Sequence, residues 1–172
     1  MKNITQLFIV FVLFFNFVAT AQGVEELGKR NGFKDIKLAS DVNQYEGLEY
    51  EKEIDDEKFG KLQIYIPKKE HYTSIGIIKI VDMEVRAYNG EVYEVQVIIN
   101  KDPKMYGGLK KAFGPPKYSP VTNDYFWRAD SLKLMYRSFG KNQLEMVYHS
   151  YVIDRKLKDE KKEEIDDIAS DF

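Results

Sequence analysis

Cysteine is absent from this chain of 172 residues. Its absence excludes disulfides and thiolate metal sites. It also excludes an acyl anchor of the bacterial lipoprotein kind, which needs a cysteine at the new N-terminus, where this chain has Gln22. Histidine is scarce, with only His71 and His149. A zinc site needs several ligands at matched spacing, and neither histidine belongs to such a motif, so no metal is expected. An excess of one charge is missing too: 26 Lys and Arg stand against 28 Asp and Glu, a formal net charge of −2. That balance gives no electrostatic footprint for nucleic acid or for an anionic membrane. No Gly-rich phosphate loop, G-x-S-x-G or other nucleophile motif occurs, so neither a cofactor nor an enzymatic activity is expected.

Only one long hydrophobic run exists, Leu7–Val18. Lys2 precedes it, and Ala19 and Ala21 follow with small side chains at the positions a signal peptidase reads. This is the layout of a secretory signal peptide. A spanning helix needs about 20 apolar residues, and the strong run here falls well short. The expectation is a signal peptide over residues 1–21, cleaved after Ala21, with no membrane span left afterwards. Small exported domains of eukaryotes lean on disulfides, so a cysteine-free exported chain suits a bacterial envelope. The protein is therefore expected in the periplasm or outside the cell, without a lipid anchor.

What is abundant is tyrosine, 12 of them, a residue that fits half-buried pleated strands. Residues 22–32 are polar with three glycines and read as a flexible lead-in. Alternation then marks strands at Phe33–Leu38, Leu48–Ile54 and Leu62–Ile66, the last stopped by Pro67. Asn89-Gly90 between two alternating runs marks a hairpin. A two-residue loop there mismatches the apolar faces. A three-residue loop, Tyr88–Gly90, pairs Val85 with Tyr93 and predicts Gly90 in the left-handed region of a bulge. Asp102 and Pro103 open a short helix that Gly114 closes, with Met105, Leu109 and Ala112 on one face. Further strands cover Tyr125–Arg128, Leu132–Arg137 and Leu144–Ile153. A charged helix, residues 154–172, carries the thin apolar stripe Leu157, Ile165, Ile168 and Phe172. There is no internal repeat and no Pro/Gly-rich linker. One α+β domain over residues 33–153 is expected: a mostly antiparallel sheet with one packed helix and a charged C-terminal helix.

The order of Phe33–Leu38, the Asn89-Gly90 hairpin, the Leu109–Pro115 helix end, the Trp127 strand and Leu132–Tyr136 resembles small exported α+β proteins of Gram-negative bacteria. In style it is similar to the SmpA/OmlA (BamE-like) outer-membrane assembly domains. The chain departs from them in lacking the lipidated cysteine and in offering at most one helical turn over Ala39–Gly47 where they have a helical pair. The resemblance carries no functional residue across.

Among polar groups, His149 sits on a strand between Tyr148 and Ser150 and reads as a cross-strand or surface residue. Strand neighbours face opposite ways, so His149 and Ser150 form no catalytic pair. His71, Asp55–Glu57 and the acids of 163–167 read as solvated. A hydrolase would require acids to converge with His149 or Arg128 in one cleft. The feature with binding promise is Tyr125, Phe126, Trp127 and Arg128. Exposed, these side chains stack on a sugar or anchor a partner; alternatively, Trp127 and its neighbours close the core under the helix. The expected function is non-enzymatic binding of a macromolecular partner at the cell envelope. The alternative is a small-ligand or glycan-binding module.

Overall fold

The computed structural model describes residues 23–172. The expected signal peptide over residues 1–21, and its expected cleavage after Ala21, lie outside them. Strand makes up 46% of the fold and helix 28%, and every strand pairing is antiparallel. The protein is α+β, as its alternating segments imply.

Helix α1 (residues 23–30) leads into a small ribbon of β1 (Gly32–Phe33) and β2 (Ile36–Lys37). A 3-10 turn, Val42–Gln44, precedes β3 (Leu48–Asp56) and β4 (Gly60–Pro67). Then come β5 (Ser74–Ile75), β6 (Ile78–Tyr88), β7 (Glu91–Asn100) and helix α2 (Pro103–Phe113). The chain ends with β8 (Lys117–Ser119), β9 (Asp124–Arg128), β10 (Leu132–Phe139), β11 (Gln143–Ser150) and helix α3 (Tyr151–Ser170). The large sheet runs β3-β4-β6-β7-β11-β10-β9-β8, with β5 appended to β6. Two four-stranded meanders thus meet back to back at β7 and β11, and α2 carries the chain from one to the far edge of the other. No sequence repeat announces this arrangement.

Four sequence expectations need correction, the last of them in the central hairpin. Of the expected flexible lead-in at 22–32, the described part is not loose chain: residues 23–30 are helical and Leu27 is fully buried. Gly23 lets α1 start against the Phe113 carbonyl, closer than any Cβ would allow. Phe33–Leu38 is a hairpin rather than one strand. Lys34 takes a positive φ of 53° there, so that Phe33, Ile36 and Leu38 all reach the core. The C-terminal helix begins at Tyr151, because the Ser150 hydroxyl accepts from the Ile153 amide at 3.3 Å and ends the strand. Of its expected stripe only Leu157 is buried, joined by Ile153, while Ile165, Ile168 and Phe172 are exposed.

The central hairpin is informative about register. Gly90 does take a positive φ, 79°, and so does Asn89, at 49°. Tyr88 pairs with Glu91, so the loop has two residues, not three. The face mismatch is relieved inside the strands instead. Ala87 pairs with Val92 and Arg86 with Glu94, which leaves Tyr93 as a bulge. Val85 accordingly pairs with Val95 rather than Tyr93. The bulge sends Val92 into the main core and Tyr93 to the opposite face, among Phe59, Leu62, Ile153 and Leu157. Each such buried apolar side chain contributes about 1.5–3 kcal/mol.

Helix α2 lies on the main core with Met105, Leu109 and Phe113 inward. Asp102 caps it, accepting from the Lys104 amide at 2.8 Å, and Pro103 fills its first turn. Gly114 ends it with a φ of 77°.

Candidate functional site

Strand alternation splits the aromatic run of β9 between the two faces of the sheet. Trp127 pairs with Leu134 and is 2% exposed; its ring meets Phe113 edge-on at 6.4 Å. Its indole N–H donates to the Gly114 carbonyl at 2.8 Å, capping the end of α2. Trp127 is therefore a core residue, and the expectation that it could offer an exposed stacking face is corrected. Phe126 and Arg128 face the other way. The Lys133 ammonium lies 4.9 Å from the Phe126 ring, and the Arg128 guanidinium 4.9 Å from the Tyr151 ring. Of the run, only Tyr125 remains exposed on the α2 side, at 40%.

Tyr125 is not alone there. Its ring lies 5.3 Å from Tyr118 on β8 and 5.4 Å from Tyr106 on α2, and Tyr106 lies 6.1 Å from Tyr136 on β10. Four tyrosines thus form a row from the sheet edge to the flank of α2, with buried Tyr136 as its foot. Burial holds the Tyr136 phenol above its ordinary pKa. Tyr118, at the outer end, is 52% exposed, and its hydroxyl donates to the Asn123 side chain at 2.6 Å. Val121, on the loop joining β8 to β9, is almost fully exposed. The Tyr125 ring tilts 51° to Tyr118 and 57° to Tyr106, and Tyr106 tilts 36° to Tyr136, so no neighbouring pair is coplanar. Tyr106, Tyr118 and Tyr125 make a contiguous aromatic surface of the composition favoured at interface hot spots. Tyr106 and Tyr118 were not singled out in the sequence. They lie in different elements, and only the fold brings them to Tyr125.

On the opposite face, polar groups converge around His149. Its Nδ1 lies 3.3 Å from Glu94 and its Nε2 lies 2.8 Å from Asp154, which also pairs with Lys58. Tyr93 meets the imidazole edge-on at 4.9 Å. Burial pulls the His149 pKa down, but the hydrogen bonds to Glu94 and Asp154 outweigh it, so the net shift is upward. Burial likewise raises Asp154, yet hydrogen bonds from Lys58 and His149 leave its pKa below the ordinary value. These acids bracket the ring from opposite sides instead of meeting at one point. Both ring nitrogens are engaged, one by each acid. Farther along the same face, Glu145 is 1% exposed and accepts from Arg137 and Gln96. Among the described residues no group of three or more His, Asp or Glu is arranged to hold a metal ion.

Arg128 does open onto a cleft of about 480 Å³ at the start of α3, with Asp130, Tyr151, Asp154, Arg155 and Lys158. Asp154 there is already held by His149 and Lys58, and Ser150 is buried as the helix cap. The cleft contributes charged groups but no activated nucleophile.

A third feature lies along the other flank of α2. There Lys104, Gly108 and Ala112, four residues apart on one helical side, border a cavity of about 460 Å³.

No family model, no curated protein and no solved structure matches this chain.

Proposed function

We propose that this chain is an exported, non-enzymatic protein that binds a protein partner at the cell envelope through the surface built by Tyr106, Tyr118 and Tyr125. The observation that carries this reading is the row of tyrosines continued into solvent by Tyr118, 52% exposed. Tyr supplies large contact area at low rotamer cost, with a hydroxyl for the polar rim.

Both edges of the sheet favour recognition by side chains over strand addition. The outer strand β3 carries Glu49, Glu51, Lys52, Glu53, Asp55 and Asp56 and is broken by a register shift between Tyr50 and Lys52. At the far edge β8 has only three residues, set between Pro116 and Pro120. Charge, irregularity and proline all blunt an edge. The mutual tilt of the rings suits an irregular protein surface better than the flat face of a sugar. The hydrophobic N-terminal segment of the sequence supports export, and among the described residues no helix is long and apolar enough to cross a membrane.

The test is a cross-linked pull-down from native envelopes with the full-length protein and a Tyr118→Ala/Tyr125→Ala variant. A discrete protein recovered by the wild type and lost from the folded variant is the expected result. Equal recovery by both would reject this surface.

A further inference from the structure

We propose that the groove beside α2 binds a single-chain amphiphile with an anionic head, a free fatty carboxylate being the simplest occupant. This groove is separate from the tyrosine surface and lies on the opposite flank of the helix. Its walls are the α2 side bearing Lys104, Gly108 and Ala112, the β1–β2 turn with Phe33 and Lys34, and the β5–β6 turn with Ile75 and Ile78. The cavity of about 460 Å³ falls within the range of small-molecule sites, and its lining is mainly apolar.

Three observations give the occupant its chemistry. The first is charge. Arg30, Lys34 and Lys104 line the groove and no acidic side chain does. Arg30 is partly neutralised by Glu26 at 2.9 Å, but Lys34 and Lys104 have no acidic partner among the described residues. In a chain of net charge −2, three cations around one apolar hollow are complementary to an anionic head.

The second is the helix itself. Gly107 and Gly108 stand inside α2, where glycine is unfavourable relative to alanine. Neither is required by close packing: a Cβ at either position meets nothing within 4 Å. At Gly108 the missing side chain is groove volume, which accounts for a residue that helix propensity and packing leave unexplained. The third is the rim. The turn linking β5 to β6 puts Ile77 at its tip, 82% exposed, beside Ile75 and Ile78 in the groove wall. An isolated apolar residue at a turn needs no explanation. A row of three leading into an apolar groove provides an entry path for a hydrocarbon tail.

The head and tail therefore have different walls. The carboxylate sits between Lys34 and Lys104, and the tail lies along Phe33, Ile78 and Leu109. Binding is tested by titration calorimetry on protein purified after expression of the full-length chain. Dodecanoate, kept below its micellar concentration, is compared with dodecyltrimethylammonium and with vesicles of phosphatidylglycerol. Dodecanoate is expected to bind saturably, and the cationic analogue at least about tenfold more weakly, since like charges would face one another. Gly108→Leu fills the groove at an exposed helix position where leucine is the better helix former. It is expected to weaken dodecanoate binding at least about tenfold while the melting temperature does not fall. Lys34→Glu/Lys104→Glu should lose binding of the anion selectively. The proposal is overturned if both head charges bind equally, if Gly108→Leu binds like the wild type, or if the protein associates with vesicles but not with monomeric dodecanoate.

Discussion

The indole N–H of Trp127 donates to the Gly114 carbonyl at 2.8 Å, so strand β9 holds the end of helix α2 in place. Both candidate binding features flank this helix, the tyrosine row on one side and the apolar groove on the other. The bond therefore fixes the geometry of each without touching either.

Replacing Trp127 with Phe keeps most of the ring against Phe113 but leaves the Gly114 carbonyl without that partner. A loss of about 1–3 kcal/mol in unfolding free energy is expected, read from urea melts followed by far-ultraviolet circular dichroism. Trp127→Ala should cost about 3–5 kcal/mol. That substitution reports on folding, and the tyrosines are the positions at which to test binding.

Much of this framework is legible in the sequence. Asp102 and Pro103 open α2 and Gly114 closes it as capping chemistry requires, and the faces of Leu132, Leu134 and Tyr136 on β10 match those of β11. The bulge at Tyr93 is not legible in the same way. A three-residue loop and a two-residue loop followed by a bulge both place Gly90 at positive φ and both correct the faces by one residue. Only burial of Tyr93 against Ile153 and Leu157, some 60 residues on, decides between them. Helix α1 shows in the sequence only as the spacing of Glu25 with Lys29 and of Glu26 with Arg30, which pair along it, while its buried Leu27 joins a core built largely from distant segments. The split of Tyr125 and Trp127 from Phe126 and Arg128 is implicit in strand periodicity, whereas the arrival of Tyr106 and Tyr118 beside Tyr125 is a product of topology alone.

Helix α2 should be improvable without disturbing its packing. Gly107→Ala adds a methyl where nothing lies within 4 Å. A gain of about 0.5–1 kcal/mol follows from the lower backbone entropy of the unfolded chain. Equilibrium denaturation with an unchanged m-value would show it. A loss of stability would mean that the glycine answers a packing need.

His149 gives stability a dependence on pH. Its folded pKa is raised, so its contribution is complete below the unfolded value of about 6.5 and is lost as pH rises through the folded value. Asp154 has a lowered folded pKa, so its contribution is present above about 3.9 and is lost as pH falls through the folded value. The junction of β11 with α3 is thus firmest in mildly acidic solution. Thermal melts should fall in midpoint as pH rises from the mildly acidic range into the alkaline side of neutrality. His149→Asn should flatten that part of the profile, whereas an unchanged profile would remove the imidazolium from the account.

Glu145 is buried and held by Arg137 and Gln96. Arg137→Met leaves the carboxylate with Gln96 alone and should destabilise by about 1–3 kcal/mol. Pairing it with Glu145→Leu should recover most of that loss, because an apolar pair has no charge to desolvate. A double-mutant cycle measures the coupling.

Central to the account is that Tyr118 and Tyr125 face a protein partner. The most direct measurement is site-specific photo-cross-linking in intact cells, with the reactive residue placed at Tyr118 and, as a control, at Glu163 on the exposed face of α3. A discrete protein adduct formed from position 118 and absent from position 163 is the predicted result. No adduct at 118, or the same set of adducts from both positions, would contradict it.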